Sequence, residues 1–118
     1  MSLKNLTPYG SLCRKLRIDR DCTLLDVAKN LGCTSSYLSA IEHASKVLSE
    51  TMLDKIIVFY GREHEILLRR AAMLSVIKYR IDVSNSSDQV RELVALFAKN
   101  FDKLAEDKLL AIQDIIKH

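Results

Sequence analysis

Apolar residues in the first half of the chain recur at three- and four-residue intervals, the period of an amphipathic helix. Tyr9, Leu12, Cys13 and Leu16 share one helical face, and Thr7 followed by Pro8 supplies an N-cap and a first-turn proline. The pattern predicts a first helix over 8–18. Thr23 caps a second helix over 24–31, with Asp26 three residues on as the acid of a short capping box. Gly32 ends it, because glycine enters the left-handed region cheaply. Thr34 opens a short third helix over 35–42 with Leu38 and Ile41 inward. Ser49 caps a fourth, in which Met52, Leu53, Ile56, Ile57 and Phe59 form a wide apolar face that Gly61 stops. Ile66, Leu67, Leu68, Met73, Leu74, Ile77 and Ile81 then predict a long helix over 62–80, with room for a break, followed by a polar linker over 82–88. Val90, Leu93, Val94, Phe97, Phe101 and Leu104 predict a helix over 90–104. Leu109, Leu110, Ile112, Ile115 and Ile116 predict the last, over 106–117. With three glycines and one proline in 118 residues, the fold class is all-α.

The window 24–41 holds a stricter register. Ala28 lies midway through the second helix, Gly32 four residues later, Leu38 six further and Ile41 three beyond that. Two short helices crossing steeply need a small residue where their backbones approach, and a sharp turn needs a left-handed one. Val27, Leu31, Leu38 and Ile41 close the core between them. With Leu16-Arg17, Thr23-Leu24-Leu25-Asp26-Val27-Ala28, Leu31-Gly32-Cys33-Thr34 and Tyr37-Leu38-Ser39-Ala40-Ile41-Glu42, residues 11–61 resemble the Cro/lambda-repressor-like helix-turn-helix domain, the xenobiotic-response-element type. The resemblance implies a five-helix DNA-binding domain over 7–61, extending as far as about residue 80. It also implies that the third helix enters the major groove. Base-facing positions are then Ser35, Ser36, Ser39 and Ala40; Thr34 and Tyr37, with the amides at the helix start, meet phosphate. Thr23, Lys29, His43 and Lys46 fall where flanking backbone contacts lie. An arginine late in the first helix and a glutamate ending the third pair structurally in this family; the matching residues are Arg17 and Glu42.

Two departures from the family pattern bear on function. Bidentate base readout favours Arg, Asn or Gln, whereas this helix offers serines and an alanine. The loop after it, His43-Ala44-Ser45-Lys46-Val47-Leu48, lacks the usual glycine and carries little positive charge.

Net charge changes the picture only slightly. It is +3 overall, with eight basic against six acidic residues in 1–61 and ten against nine in 62–118. That balance permits nucleic-acid binding without demanding it. The cluster Arg14, Lys15, Arg17 and Arg20 either lines the DNA face or forms a solvated surface beside Asp19 and Asp21. Arg62, Arg69 and Arg70 read as a solvated face paired with Glu63 and Glu65.

Cys13, Cys22 and Cys33 form no CxxC pair, and His43, His64 and His118 sit at no metal-ligand spacing, so neither a metal nor a cofactor is expected. No HExxH, GxSxG or glycine-rich phosphate loop occurs, so the chain does not read as an enzyme. Residues 1–9 lack an apolar leader and no apolar run reaches the ~18–20 residues of a membrane span. A reducing cytoplasmic setting is the expectation.

Residues 82–118 read as a C-terminal helical hairpin whose apolar stripes need a cover. The expected function is a sequence-specific transcriptional regulator, a repressor, binding double-stranded DNA as a homodimer through those helices. The alternatives are an antitoxin-type module whose tail binds a toxin or another regulator while its DNA binding is autoregulatory, and a helix-turn-helix scaffold with no DNA role.

Overall fold

The computed structural model describes residues 6–118. Residues 1–5, part of the stretch read above for an apolar leader, lie outside it. Seven α-helices and no strand occur among the described residues: α1 Pro8–Asp19, α2 Leu24–Leu31, α3 Ser35–Glu42, α4 Glu50–Tyr60, α5 Glu65–Ser75, α6 Asp88–Asn100 and α7 Glu106–Lys117. They fall into two compact units, Met1–Tyr79 and Arg80–His118.

In the first unit helices α1 to α4 each begin on a capping side chain, and α5 follows a 3₁₀ turn without one. The hydroxyls of Thr7, Thr23, Thr34 and Ser49 accept from the backbone N–H groups of Gly10, Asp26, Tyr37 and Met52. At α2 the box is reciprocal, since the Asp26 carboxylate accepts from the Thr23 N–H at 2.8 Å. That hydrogen bond holds the Asp26 carboxyl below the usual range. Gly32 ends α2 at φ +72°. Its direction was legible from the sequence; that of Ala44, at φ +59°, was not.

The core joins all five helices through Tyr9, Cys13, Leu16, Val27, Ala28, Leu38, Ile41, Leu53, Ile56, Ile57, Tyr60 and Leu68. Helix α5 packs along α1 and inserts Leu68, which is fully buried. At its end Ser75 accepts the Tyr9 N–H at 2.9 Å and donates to the Ala71 carbonyl at 2.6 Å, fastening the last turn of α5 to the first turn of α1. Helix α1 also approaches α3 closely. A Cβ on Gly10 would stand 2.3 Å from the Glu42 carbonyl oxygen, which Thr7 engages through both its N–H (3.2 Å) and its hydroxyl (2.9 Å).

Two helix expectations are corrected. The long helix over 62–80 is a 3₁₀ turn at Arg62–His64 followed by α5, which stops at Ser75; Ile77 and Ile81 lie beyond it and are exposed. Ser75 uses its hydroxyl at the junction with α1, and the β-branched Val76 that follows is in extended backbone. The helix over 90–104 begins earlier, on the Ser87 cap, and ends at Asn100, with a 3₁₀ turn at Phe101–Lys103. In the second unit neither α6 nor α7 buries a residue.

Candidate nucleic-acid interface

Helix α3 is held from behind. The Arg17 guanidinium makes two hydrogen bonds to the Glu42 carboxylate, Nη1 to Oε2 at 2.5 Å and Nη2 to Oε1 at 3.0 Å, and both side chains are largely buried. Burial opposes the charge on Arg17, yet the hydrogen bond and charge of Glu42 outweigh it and hold the guanidinium pKa above its ordinary value. The Tyr60 phenol interacts with the Arg17 charge, and the Tyr9 phenol with the Cys13 thiol. Tyr9, Cys13 and Arg17 succeed one another at four-residue spacing, so one face of α1 carries a polar seam into the core. Burial raises the phenols of Tyr9 and Tyr60 and pushes the Cys13 thiol up to about 12. No buried side-chain nitrogen or oxygen among the described residues lacks a partner. The orientation of α3 is therefore fixed by a fork of two charge-assisted bonds, each short and directional.

The opposite side of α3 is open. Thr34 and Ser36 are exposed, and Ser35, Tyr37 and Ala40 are half-buried. The Thr34 and Thr23 hydroxyls each accept a backbone N–H as caps and keep their own hydrogen to donate, the property a phosphate contact needs. Ser39, expected to face bases, is instead 9% exposed. It precedes Glu42 by three residues and so lies on the inward side of the helix.

The loop after α3 folds back on it. The Ala40 carbonyl accepts from the Ser45 N–H (2.9 Å), the Lys46 N–H (3.3 Å) and the Ser45 hydroxyl (3.1 Å). That brings exposed Lys46 to the end of the helix. His43 Nδ1 lies 2.8 Å from the Ser39 carbonyl oxygen. A carbonyl only accepts, so Nδ1 carries the hydrogen and Nε2 is the other donor–acceptor position of the ring. Lys29 is exposed on α2.

The basic cluster divides. Arg17 belongs to the buried pair. Arg20 donates to the carbonyls of Phe59 (2.7 Å) and Tyr60 (2.5 Å) and lies over both rings, so it closes the C-terminal end of α4. Arg69 reaches Glu50, Asp54 and Glu65, linking α5 to α4, and Arg62 pairs with Glu65. Two of the four cations in the α1 cluster are thus engaged within the fold. Sequence periodicity gave no sign of the roles of Gly10, Arg20, Arg69 and Ser75, because each depends on a partner distant in the chain.

Two short helices, a left-handed turn between them, and an outer helix braced at its base and open at its start define a helix-turn-helix module. Residues 14–67 match the helix-turn-helix family model, whose type is the Cro/C1, XRE-like one. No curated protein and no solved structure matches the chain. Among the described residues no group of His, Cys, Asp and Glu could hold a metal ion, and no helix is long and apolar enough to cross a membrane.

Proposed function

We propose that the chain is a sequence-specific transcriptional repressor that occupies a pseudo-palindromic operator as a homodimer. The observation that carries this reading is the pairing of an open N-terminal half of α3, with Ser36 exposed, and a rigid base set by Arg17 and Glu42. Thr23, Thr34, Tyr37, His43 and Lys46, with the amide ends of α2 and α3, contact phosphate and supply most of the affinity. Ser35, Ser36 and Ala40 read base edges through short side chains, which makes specificity modest and sensitive to groove shape. Helices α6 and α7 supply the dimer interface, and two-fold symmetry sets half-sites ~34 Å apart.

The test is binding to DNA flanking the chain's own gene across a salt series, with Ser36→Glu as the control. The expected result is a linear fall of log K with log salt and a loss of about 100-fold or more in the variant. Absence of binding by the native chain at low salt overturns the reading. A second reading, an antitoxin-type module, is favoured by one observation: Phe97, Phe101 and Leu110 are about half exposed on the C-terminal unit. A stable complex with the product of an adjacent toxin gene supports it.

A further inference from the structure

Between α5 and α6 the sequence reads Val76-Ile77-Lys78-Tyr79-Arg80-Ile81-Asp82-Val83, and its backbone is neither helical nor turned. Ile77, Tyr79, Ile81 and Val83 alternate with Lys78, Arg80 and Asp82. This is the period of a strand with one apolar and one charged face, and the apolar members are β-branched or aromatic. Ile77 is 85% exposed, and Tyr79 and Ile81 are each 67% exposed. No hydrogen bond from the backbone N–H groups of 77–82 occurs among the backbone pairs of the described residues. The segment has the side chains and the unpaired backbone of a strand, and it lacks a neighbour.

We propose that 79–83 pairs with the same segment of a second copy of this chain, forming an antiparallel two-stranded ribbon across the dimer axis. The inference deepens the homodimer part of the function proposed above and is independent of DNA binding. In an antiparallel pair related by a two-fold axis, the numbers of facing residues have a constant sum. Centring the axis on Ile81 sets Arg80 opposite the Asp82 of the second copy, twice, and Tyr79 opposite Val83, twice. Within 79–83 every apolar side chain then faces another apolar one, and both charged pairs are of opposite sign, while Ile77 and Lys78 fall opposite Asn85 and Ser84 beyond the ribbon. Centring on Tyr79 would oppose Lys78 to Arg80, and centring on Arg80 would pair Lys78 with Asp82 but oppose that arginine to itself at the axis. Charge complementarity therefore selects the Ile81 register and a second copy as the occupant.

The pairing edge follows from the backbone. The Val83 carbonyl already accepts the Ser86 N–H (3.0 Å) and the Arg91 guanidinium (3.1 Å). Successive residues of a strand direct their N–H and C=O groups to opposite edges, so the edge shared by Val83 and Ile81 is the one so engaged. The other edge carries the groups of Lys78, Arg80 and Asp82. The Asp82 carboxylate accepts the Ser84 N–H through Oδ1 at 2.9 Å.

The experiment uses the full chain in two parts. Sedimentation over a concentration series first establishes whether it self-associates; a monomer at 100 μM overturns both this inference and the dimer reading. On a dimer, amide exchange and cross-linking decide the ribbon alone. The expected result is slowed exchange at the Arg80 and Asp82 amides as dimer forms. In a Cys22→Ser/Cys33→Ser background, Ile81→Cys is expected to give disulfide-linked dimer on mild oxidation, and Lys78→Cys, which has no self-facing partner, to give little. Arg80→Asp is expected to weaken association several-fold, and Arg80→Asp/Asp82→Arg to recover most of it. Unchanged exchange at both amides, with cross-linking of Ile81→Cys no faster than that of Lys78→Cys, overturns the ribbon while leaving a dimer held by α6 and α7.

Discussion

Helices α1–α5 and helices α6–α7 carry apolar residues at the same spacing yet dispose of them differently. In the first unit Leu53, Ile56, Ile57 and Leu68 reach the interior, and even its polar members, Arg17 and Glu42, enter as a matched pair. In the second, Leu93, Leu96, Phe97, Leu110 and Ile115 all remain about half exposed or more. Five helices can surround a common centre, whereas two helices and a turn have too little surface to enclose one. The first unit thus encloses a core of its own, although Ile66, Leu67, Met73 and Leu74 on α5 stay exposed, and the second has the composition of half an interface. The division matches the function proposed: one part must hold a recognition helix rigidly, and the other must find a second chain.

The largest effect should come from breaking the buried pair on one side. Glu42→Ala leaves the Arg17 guanidinium without its carboxylate in a largely buried site, a loss of about 3–5 kcal/mol. Urea denaturation of the full chain measures it. Replacing both partners, Arg17→Met/Glu42→Leu, should recover most of that stability, because no uncompensated charge remains. If Glu42→Ala proves as stable as the native chain, the pair is not what fixes α3.

The comparison is sharpened by truncating one large apolar side chain in each unit. Leu68→Ala opens a cavity where α5 meets the core, and about 3 kcal/mol should be lost. Phe97→Ala, on an exposed face of α6, should leave unfolding of the first unit within about 0.5 kcal/mol and instead weaken the proposed dimer. Equal effects of the two on unfolding would mean that the units do not differ in the way described.

The buried seam should also make stability fall on the alkaline side. Burial raises the folded pKa of Cys13 from 9.0 to about 12, and the Tyr9 and Tyr60 phenols are raised as well. The folded state keeps these protons and the unfolded state releases them. The stability they provide is present in full below the unfolded value of each group and is lost as pH rises toward its folded value. For Cys13 the window is pH 9 to about 12. By pH 10.5 the loss from this thiol is about 2 kcal/mol, and Cys13→Ala should flatten that limb of a stability–pH profile.

Much of the first unit was legible in the sequence because its signals are local. Caps, a capping box, the turn glycine and helical periodicity act within one or two turns, and Thr7, Thr23, Thr34 and Ser49 stand where they were read. Three kinds of feature were not legible. Ser39 carries a side chain suited to base contact, but its helical phase turns it inward. Arg20 and Arg69 look like solvated charge until the chain brings α4 beside them. The segment 77–83 holds apolar residues that fit a helical spacing when counted with α5, and its alternation emerges only once α5 is seen to end at Ser75.

The smallest effect expected lies in the loop that ends α3. Family members usually have a glycine in this loop, and this chain has none. The structure places Ala44 at φ +59°, a left-handed conformation in which a Cβ crowds the backbone. Its N–H nonetheless donates to the Ile41 carbonyl at 3.1 Å, and the next two amides return to Ala40, so the loop keeps its course despite the strain. Ala44→Gly removes the Cβ without touching those bonds, although glycine also gains freedom in the unfolded chain. The relief should slightly exceed that cost, for a net gain of about 0.5 kcal/mol. Thermal denaturation should show a rise of a few degrees, with Gly32→Ala, at φ +72°, moving in the opposite direction. A loss of stability in Ala44→Gly would mean that the alanine methyl holds the loop against α3, and Lys46 would then owe its position to packing rather than to the carbonyl of Ala40.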